Sequence, residues 1–313
     1  MRFSIVTPSY NQGRYIERTI ESVLAQGCDV EYVVIDGGST DGTLDTLRRY
    51  ERGLRWTSEP DEGQTDAVNK GIRMTSGDVI GWVNSDDVYY PGAVARVRSF
   101  LETNPSVDLV YGDGDWINAE DKVIGHYYTE PWSRDGLRDV PERLKQRCFL
   151  CQPAVFFRRR VVDRYGLFDP TLHYTMDYEY WLRLAAGRAQ FAYLPVALAG
   201  ARLHAETKTS ASALKLYTEL HPMLRRYMSR TPDGWLLSHT HALLDAEWSS
   251  ERFRSPWRFA VAVALLSLQL SVHVNGSISP HLLGTTARTL LAGAVKTALG
   301  TPIENVLQKR MGT

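Results

Sequence analysis

Residues 2–43 read RFSIVTPSYNQGRYIERTIESVLAQGCDVEYVVIDGGSTDGT and hold two apolar segments separated by an amphipathic one. Between the two, residues 15–26 place Ile16, Ile20 and Val23 on one stripe at helical spacing. The second apolar segment is continuous and is closed by two glycines. Strand, helix and strand at this spacing are typical of a unit with parallel strands.

The same alternation continues along the chain. It predicts further strands at 54–58, 79–84 and 109–113, and helices at 64–75 and 92–103. We therefore predict an α/β fold, with a mostly parallel sheet and helices on both faces. Ligands of such sheets bind at the carboxyl ends of the strands, so the polar residues just after each strand are the candidates for a site.

From about residue 210 the strand signals fade and the chain becomes helical in character. Helices are expected at 257–272, 242–248 and 213–228, the last with a break at Pro222. Residues 251–313 contain seven Lys and Arg against two Glu, a net charge of +5. These features predict two domains, 1–210 with the sheet and 211–313 as a helical, basic appendage.

Bulk properties exclude several classes of protein. The chain has a formal net charge of zero, which gives no basic field for nucleic acid. Its three cysteines (Cys28, Cys148, Cys151) cannot form a disulfide framework, and the C-x-x-C pair lacks a thioredoxin-like or zinc context. The N-terminus has no signal-peptide pattern, and no apolar run reaches ~18 residues. We expect a cytoplasmic protein with buried, reduced thiols.

Two polar loops, TPSYN and IDGGSTDGT, follow the first two strands. Pro8 and Asn11 suit a loop on which a base or ribose rests, although an ordinary turn has the same pattern. Asp36 can accept hydrogen bonds from a ribose hydroxyl or a base N–H, and Gly38 lets the backbone approach a ligand. The alternative is that Asp36 and Asp41 only cap the next helix.

The segment WVNSDDVYYPG delivers Asp86 and Asp87 from an apolar strand into a loop. Adjacent carboxylates repel each other unless a positive group compensates. A divalent cation that bridges to a diphosphate is the natural compensation, since Mg²⁺ and Mn²⁺ take a few protein carboxylates together with phosphate oxygens. A solvated Asp-Asp turn is the alternative.

Two further segments each contain a cluster of polar residues. In EPDEGQTDAVNKG, Asp66 and Lys70 lie four residues apart, which a helix-surface ion pair explains as well as substrate contact does. In LHYTMDYEYWLRLAAG, Asp177 lies at a helix start, where it either caps the helix or takes a proton from an acceptor hydroxyl; Glu179 is the second candidate.

The segment ARLHAETKTS groups Arg202, His204 and Lys208. These cations suit the negative charge of a departing diphosphate, or they form a solvated basic loop.

This ordered set of motifs resembles glycosyltransferase family 2, especially its bacterial polysaccharide and glycolipid branch, over roughly residues 1–210. The resemblance implies the GT-A (Rossmann-like) fold and a divalent metal, Mn²⁺ or Mg²⁺. It implies inverting transfer of a hexosyl group from a nucleotide-sugar donor to a hydroxyl of a sugar or lipid-linked acceptor, in synthesis of cell-surface glycans.

The resemblance also implies roles for particular residues. Asp177 corresponds to the general base, and Asp86, Asp87 and His204 are the predicted metal ligands. The predicted donor-binding residues are Thr7, Pro8, Tyr10, Asn11, Asp36, Gly38, Asp61, Gln64, Asp66, Lys70, Asn84, Asp86, Arg202 and Lys208. Two positions depart from the family pattern: Asn84 replaces the first acid of D-x-D, and Met176 replaces the acidic neighbour of Asp177, which removes a like charge that would raise its pKa.

Other functions remain open at this point. A sugar-nucleotide-forming nucleotidyltransferase has a similar sheet, but its G-x-G-T-R-type loop is missing here. A non-catalytic nucleotide-sugar-binding protein would keep the same pocket. In the tail, Arg252, Arg254, Trp257 and Arg258 either lie on an anionic membrane, at the inner face of the cell membrane, or belong to a helix packed on the catalytic domain.

Overall fold

The computed structural model of the protein describes residues 1–27, 30–129, 140–204, 213–248 and 255–299. The chain divides into two compact units, which are Met1–Leu144 with Cys148–Ala211 (unit 1) and Lys145–Arg147 with Ser212–Thr313 (unit 2). The assignment of a catalytic domain to 1–210 and an appendage to 211–313 stays a prediction.

Strands and helices alternate through the first hundred residues. The strands are β1 (Phe3–Ser9), β2 (Val30–Asp36), β3 (Arg55–Ser58), β4 (Val79–Trp82), β5 (Val88–Tyr89), β6 (Leu109–Ile117), β7 (Val123–His126), β8 (Val155–Arg158) and β9 (Phe191–Arg202). The helices up to β9 are α1 (Ile16–Leu24), α2 (Thr43–Tyr50), α3 (Gln64–Arg73), α4 (Ala93–Thr103), α5 (Val140–Gln146), α6 (Arg159–Tyr165) and α7 (Met176–Ala186). The short strands β5, β7 and β8 were not predicted from the sequence.

The strands form one sheet in the order β3-β2-β1-β4-β8-β6-β9-β5, with β7 paired to β6. Strands β1 to β4 pair in parallel, and β8 is antiparallel to both β4 and β6. Strands β4 and β6 therefore point the same way, as does β9, which is parallel to β6. Because β3, β2, β1, β4, β6 and β9 share one direction, their carboxyl ends lie at one edge of the sheet.

Helices cover both faces of the first strands. On one face, Phe3 and Ile5 of β1 share a core cluster with Ile16 and Ile20 of α1. On the other face, α3 packs so closely that a Cβ at Gly71 would lie 2.3 Å from a methyl group of Val6. These contacts hold the ends of α1 and α3 at the carboxyl edge of the sheet.

An aromatic cluster fixes α7 against its neighbours within unit 1. The ring centroids of Phe168 and Tyr180 lie 4.3 Å apart, and those of Phe157 and Trp181 lie 6.3 Å apart. The first pair is tilted and the second is packed edge to face; such large rings bury much apolar area and set the position of α7.

Unit 2 is helical in its described part. Its helices are α8 (Ala213–Leu224), α9 (Asp233–Trp248), α10 (Pro256–Asn275) and α11 (Pro280–Leu299). The break expected at Pro222 is displaced: α8 continues through the proline and ends two residues later. Proline removes its own N–H and crowds the turn before it, so it does not prevent the next two residues from being helical.

Two histidines form a buried pair between α8 and α9. Nε2 of His221 lies 2.9 Å from Nδ1 of His239, and the ring of Tyr217 stacks on His239 at 4.3 Å. Nδ1 of His221 is buried and finds no hydrogen-bond partner among the described residues. Burial, and secondarily the charges of His239 and His273, lower the pKa of His221 to about 4.

This pair makes stability pH-dependent in a defined window. In the unfolded chain His221 binds a proton below its ordinary pKa of 6.5, whereas in the folded chain it binds one only below about 4. Its contribution to stability is therefore fully present above pH 6.5 and is lost as the pH falls from 6.5 to about 4. We predict a loss of up to about 3 kcal/mol from this residue. The measurement is denaturant unfolding at a series of pH values.

In His221→Gln, whose amide can donate to or accept from His239 but does not titrate, the slope of stability against pH between 6.5 and 4 should flatten. His281→Gln, which changes an exposed imidazole of the same unit, is the matched control and should keep the slope. An equal slope in the wild type and in His221→Gln would refute the assignment.

Candidate active site

The loop after β4 carries the predicted acidic pair, and the structure gives its two members different environments. Asp87 is buried; its Oδ1 accepts the backbone N–H of Arg202 at 2.8 Å, and its Oδ2 accepts the side-chain amide of Asn84 at 3.1 Å. Its backbone carbonyl accepts the hydroxyl of Thr19 at 2.7 Å. Asp87 therefore joins the end of β4 to the end of β9 and to α1.

The buried carboxyl of Asp87 is electrostatically strained. Burial, followed by the negative charge of Asp86, raises its pKa well above the usual range. The Arg202 N–H and the Asn84 amide oppose this shift by stabilising the charged form. A cation bound at Asp86 would relieve the like-charge contribution.

The side chain of Arg202 is fully buried and is engaged by protein acceptors. Its Nε donates to the backbone carbonyl of Asp86 at 2.6 Å, Nη1 donates to the carbonyl of Asn118 at 2.5 Å, and Nη2 pairs with Asp121. The ring of Tyr15 lies 5.0 Å from the guanidinium carbon. Arg202 thus holds the Asp86 backbone in place. The sequence predicted that its guanidinium binds the sugar donor, but in the structure the guanidinium is directed at acceptors of the protein.

Asp86 and His204 form the partly exposed part of this loop cluster. Nε2 of His204 lies 3.0 Å from Oδ2 of Asp86. The His204 ring packs against Tyr15 with centroids 4.8 Å apart, which fixes the imidazole. The structure thus brings together Asp86 and His204, two of the three predicted metal ligands, although 118 residues separate them in the sequence.

Asn84 is the centre of a neutral hydrogen-bond network. Its Oδ1 accepts the amide of Gln64 at 2.6 Å and the indole N–H of Trp82 at 2.9 Å. Its Nδ2 donates to Asp87 and to Oε1 of Gln152, the latter at 3.1 Å. The amide orientation is set by chemistry, since an indole N–H can only donate and faces the oxygen.

Gln152 completes this network and was missed in the sequence. Its Nε2 donates to the carbonyl of Trp82 at 2.7 Å, so Gln152 ties the turn before β8 to the end of β4. No sequence pattern marks Gln152; the recognisable pattern next to it is the C-x-x-C pair. Both described cysteines, Cys148 and Cys151, are free, and burial raises the pKa of the Cys151 thiol well above its usual range.

The predicted nucleoside-binding carboxylate, Asp36, is wholly buried at the end of β2. Its oxygens accept the hydroxyls of Ser39 at 2.5 Å and Ser58 at 2.7 Å, and the backbone N–H groups of Ser39 and Gly38. Asp36 therefore shapes the loop that follows β2. Gly38 adopts a positive φ of 83° in that loop, which glycine tolerates.

Neighbouring parts of the same edge hold other predicted donor residues. Thr7 and Pro8 lie inside β1, buried, and not in the loop after it; Thr7 accepts the hydroxyl of Tyr32 at 3.1 Å. Tyr10 is 60% exposed, and Asn11 holds Thr40 N–H through its Oδ1 at 2.9 Å. Of these four, Tyr10 and Asn11 are exposed, whereas Thr7 and Pro8 are buried.

Asp61 fills the space that Gly37 leaves open. A Cβ at Gly37 would lie 2.8 Å from Oδ2 of Asp61, so the glycine admits this carboxyl group. Burial raises the pKa of Asp61. At the start of α3, the ion pair expected between Asp66 and Lys70 is present, with a distance of 3.0 Å, and Lys70 also pairs with Glu59 at 3.1 Å.

The start of α3 connects the acidic loop to the start of α7. Gln64 contacts Asn84, while the next residue, Thr65, donates to the carbonyl of Leu172 at 2.5 Å and lies 3.0 Å from the sulfur of Met176. Met176, the departure from the family's acidic pair, is thus a buried packing residue.

Asp177 is half-buried in the first turn of α7, and its Oδ1 accepts the N–H of Tyr178 at 2.7 Å. Glu179, the second candidate base, is buried and paired with Arg183 at 2.7 Å. Asp177 is therefore the more accessible carboxylate of this turn. Lys208 lies outside the described residues.

The family model for glycosyl transferase family 2 matches residues 4–166, about half of the chain. The chain belongs to glycosyl transferase family 2. This confirms the resemblance drawn from the motifs.

Relatives in this family share modest identity with the chain. An uncharacterized glycosyltransferase of Nostoc sp. is 29% identical over 177 residues, which are 54% of this chain and 55% of that protein. A PGL/p-HBAD biosynthesis glycosyltransferase of Mycobacterium tuberculosis is 30% identical over 187 residues, 58% of this chain and 68% of the relative. The chain thus spans little more than half the length of the Nostoc relative.

Solved structures show the same fold. S. aureus TarS 1-349 in complex with UDP-GlcNAc superposes with a TM-score of 0.58 at 16% identity, over 96% of this chain and 93% of that one. The mannosyltransferase PcManGT of Pyrobaculum calidifontis, in complex with GDP-Man and Mn²⁺, gives 0.57 at 17% identity, over 94% and 86%. These likenesses confirm the predicted GT-A fold.

The Asn84 network generates a testable prediction. In Asn84→Asp, a carboxylate would face the acceptor oxygens of Asp87 and Gln152, which removes two donated hydrogen bonds and adds a third negative charge. We expect a loss of about 2 kcal/mol or more in the free energy of unfolding, measured by chemical denaturation.

Asn84→Ala is the control for charge, since it removes the hydrogen bonds that the amide donates and accepts without adding a negative charge. Equal stability of Asn84→Asp and the wild type would show that the amide is not required.

Proposed function

We propose that this family 2 protein transfers a sugar from a nucleotide-sugar donor to an acceptor hydroxyl, by a single displacement with inversion. The observation that carries the proposal is the contact between His204 and Asp86 at the edge of unit 1 where the parallel strands end. The contacts of Gln64 with Asn84 and of Thr65 with Met176 link this loop to the start of α7, which supports pairing a cation site with the carboxylate of Asp177.

Asp86 and His204 fit a divalent metal, because they offer two ligand atoms of types that such metals bind. A carboxylate oxygen and an imidazole nitrogen lie 3.0 Å apart, and Mn²⁺ accepts both kinds of ligand. No further His, Cys, Asp or Glu completes a group of three within the described parts of the chain. Donor diphosphate oxygens and water would therefore supply the remaining ligands.

In this proposal Asp87 and Arg202 act indirectly, in contrast to the roles predicted from the sequence. Asp87 is buried and each of its oxygens accepts a hydrogen bond from the protein, so we assign it to positioning the loop and assign Asp86 to the metal. Arg202 fixes the Asp86 backbone. A bound Mn²⁺ or Mg²⁺ would stabilise the negative charge of the departing nucleoside diphosphate.

Asp177 is the proposed general base. It takes the proton of the acceptor hydroxyl as that oxygen attacks the anomeric carbon. Two observations support this choice over Glu179: Asp177 is partly exposed, and Glu179 is committed to Arg183. The contacts of Gln64 and Thr65 hold the metal loop and the base in fixed relation, which favours alignment of donor and acceptor.

The substrates are proposed from the relatives. TarS binds UDP-GlcNAc and PcManGT binds GDP-Man, which supports a nucleoside-diphosphate hexose as donor. The mycobacterial relative serves PGL/p-HBAD biosynthesis, which supports a sugar or lipid-linked acceptor in bacterial cell-surface glycan or glycolipid synthesis. Such a reaction would occur in the cytoplasm at the inner face of the membrane.

The proposal predicts the behaviour of Asp177→Asn. Turnover should fall at least about 100-fold, because an amide cannot take the acceptor proton, while metal-dependent binding of the donor stays intact. Release of nucleoside diphosphate with acceptor present measures turnover, and calorimetry with Mn²⁺ measures donor binding.

Asp45→Asn, at an exposed position of α2, is the matched control and should leave both quantities unchanged. Wild-type turnover in Asp177→Asn would remove Asp177 from the role of base. Slow release of nucleoside diphosphate by the wild type without acceptor would in addition separate a transferase from a protein that only binds the donor.

A further inference from the structure

Helix α10 of unit 2 has an unusual distribution of polar and apolar residues. It is the one helix in the described residues that is long and apolar enough to cross a membrane, yet only 33% of its apolar window is buried. A core helix of comparable length would bury most of that surface. Its apolar surface is therefore directed largely outward.

Helix α10 exposes large apolar side chains on the side away from its buried face. The buried face is mixed, with Ser267 and Ser271 among apolar residues. The Ser267 hydroxyl donates to the carbonyl of Val263 at 2.6 Å and lies 3.2 Å from the hydroxyl of Thr240 in α9. On the opposite side, Leu265 is 64% and Val272 51% exposed. The helix therefore presents leucine and valine outward although its packed side is already apolar.

Helix α11 extends the same surface. Leu283 and Leu291 are exposed, the latter to 68%. The two helices pack closely, since a Cβ at Gly293 would lie 2.5 Å from Cβ of Ala260. We define the apolar face as the exposed large apolar residues of these two helices, which are Trp257, Leu265, Val272, Leu283 and Leu291.

The charge of residues 255–299 indicates which kind of partner the apolar face binds. Residues 255–299 contain no Asp or Glu, while Arg258 and Arg288 are exposed on the two helices. Trp257 lies beside Arg258 at the start of α10, an arrangement typical of helices that lie in the headgroup region of a bilayer. Two copies of such a face would bring like charges together, whereas an anionic lipid surface attracts them.

We propose that the apolar face of α10 and α11 docks unit 2 on an anionic lipid surface. The helices lie in the plane of the interface, since α10 is held by α9 along one side: Phe259 and Val263 pack against Leu244, and Ser267 contacts Thr240. The inference concerns unit 2 and does not depend on the chemistry proposed for unit 1.

The test is co-sedimentation of the full chain with vesicles of phosphatidylcholine alone and of phosphatidylcholine with phosphatidylglycerol. The wild type should bind the anionic vesicles more tightly. Leu265→Gln with Leu291→Gln should weaken binding about tenfold per leucine, and Arg258→Gln with Arg288→Gln about fivefold per arginine on anionic vesicles. Val123→Gln with Ile124→Gln, at exposed apolar positions of β7, is the matched control and should bind as the wild type does.

Two outcomes would overturn the proposal. One is unchanged vesicle binding by the double leucine variant. The other is no vesicle binding by the wild type, with light scattering showing a dimer that the leucine variant loses, which would make the face a contact between copies. Release of nucleoside diphosphate from soluble donor, measured in every variant, keeps this result separate from the proposed sugar transfer.

Discussion

The buried carboxylate of Asp87 holds the edge of unit 1 together. It accepts the backbone N–H of Arg202 and the amide of Asn84, so it joins the end of β4 to the end of β9. These strands are separated in the sheet by β8 and β6. This junction and the hydrogen bond from Arg202 Nε to the Asp86 carbonyl together hold Asp86 and His204 in one frame.

A buried carboxylate next to a second one is costly, and the surroundings show how the cost is offset. Each oxygen of Asp87 accepts a hydrogen bond, and Asn84 supplies a donor where the family pattern has another acid. The guanidinium of Arg202 is held by two backbone carbonyls and by Asp121, which places a positive charge near the pair. The proposed metal would add the remaining compensation at Asp86.

Local patterns predicted the strands β1 to β4, the helices between them and the position of Asp36 and Asp86 after strands. They predicted these features because periodicity and strand ends are properties of adjacent residues. They could not separate Asp86 from Asp87, or recognise that Arg202 turns into the protein. Those distinctions depend on contacts between residues more than a hundred positions apart.

Gln152 illustrates the same limit. Its importance comes from meeting Asn84 and Trp82, residues about seventy positions earlier, and its neighbours in sequence show no pattern. The exposed apolar side of α10 could not be predicted either, since the sequence shows an apolar run with serines but not which side of the helix packs against α9.

The central claim is that Asp86 and His204 hold a divalent metal that binds the donor diphosphate. It is tested most directly by thermal unfolding of the full chain with a panel of nucleotide sugars, with and without Mn²⁺. The account predicts that one nucleotide sugar raises the melting temperature only when Mn²⁺ is present, and that Asp86→Asn abolishes this shift. Stabilisation of equal size without metal, or in Asp86→Asn, would contradict it.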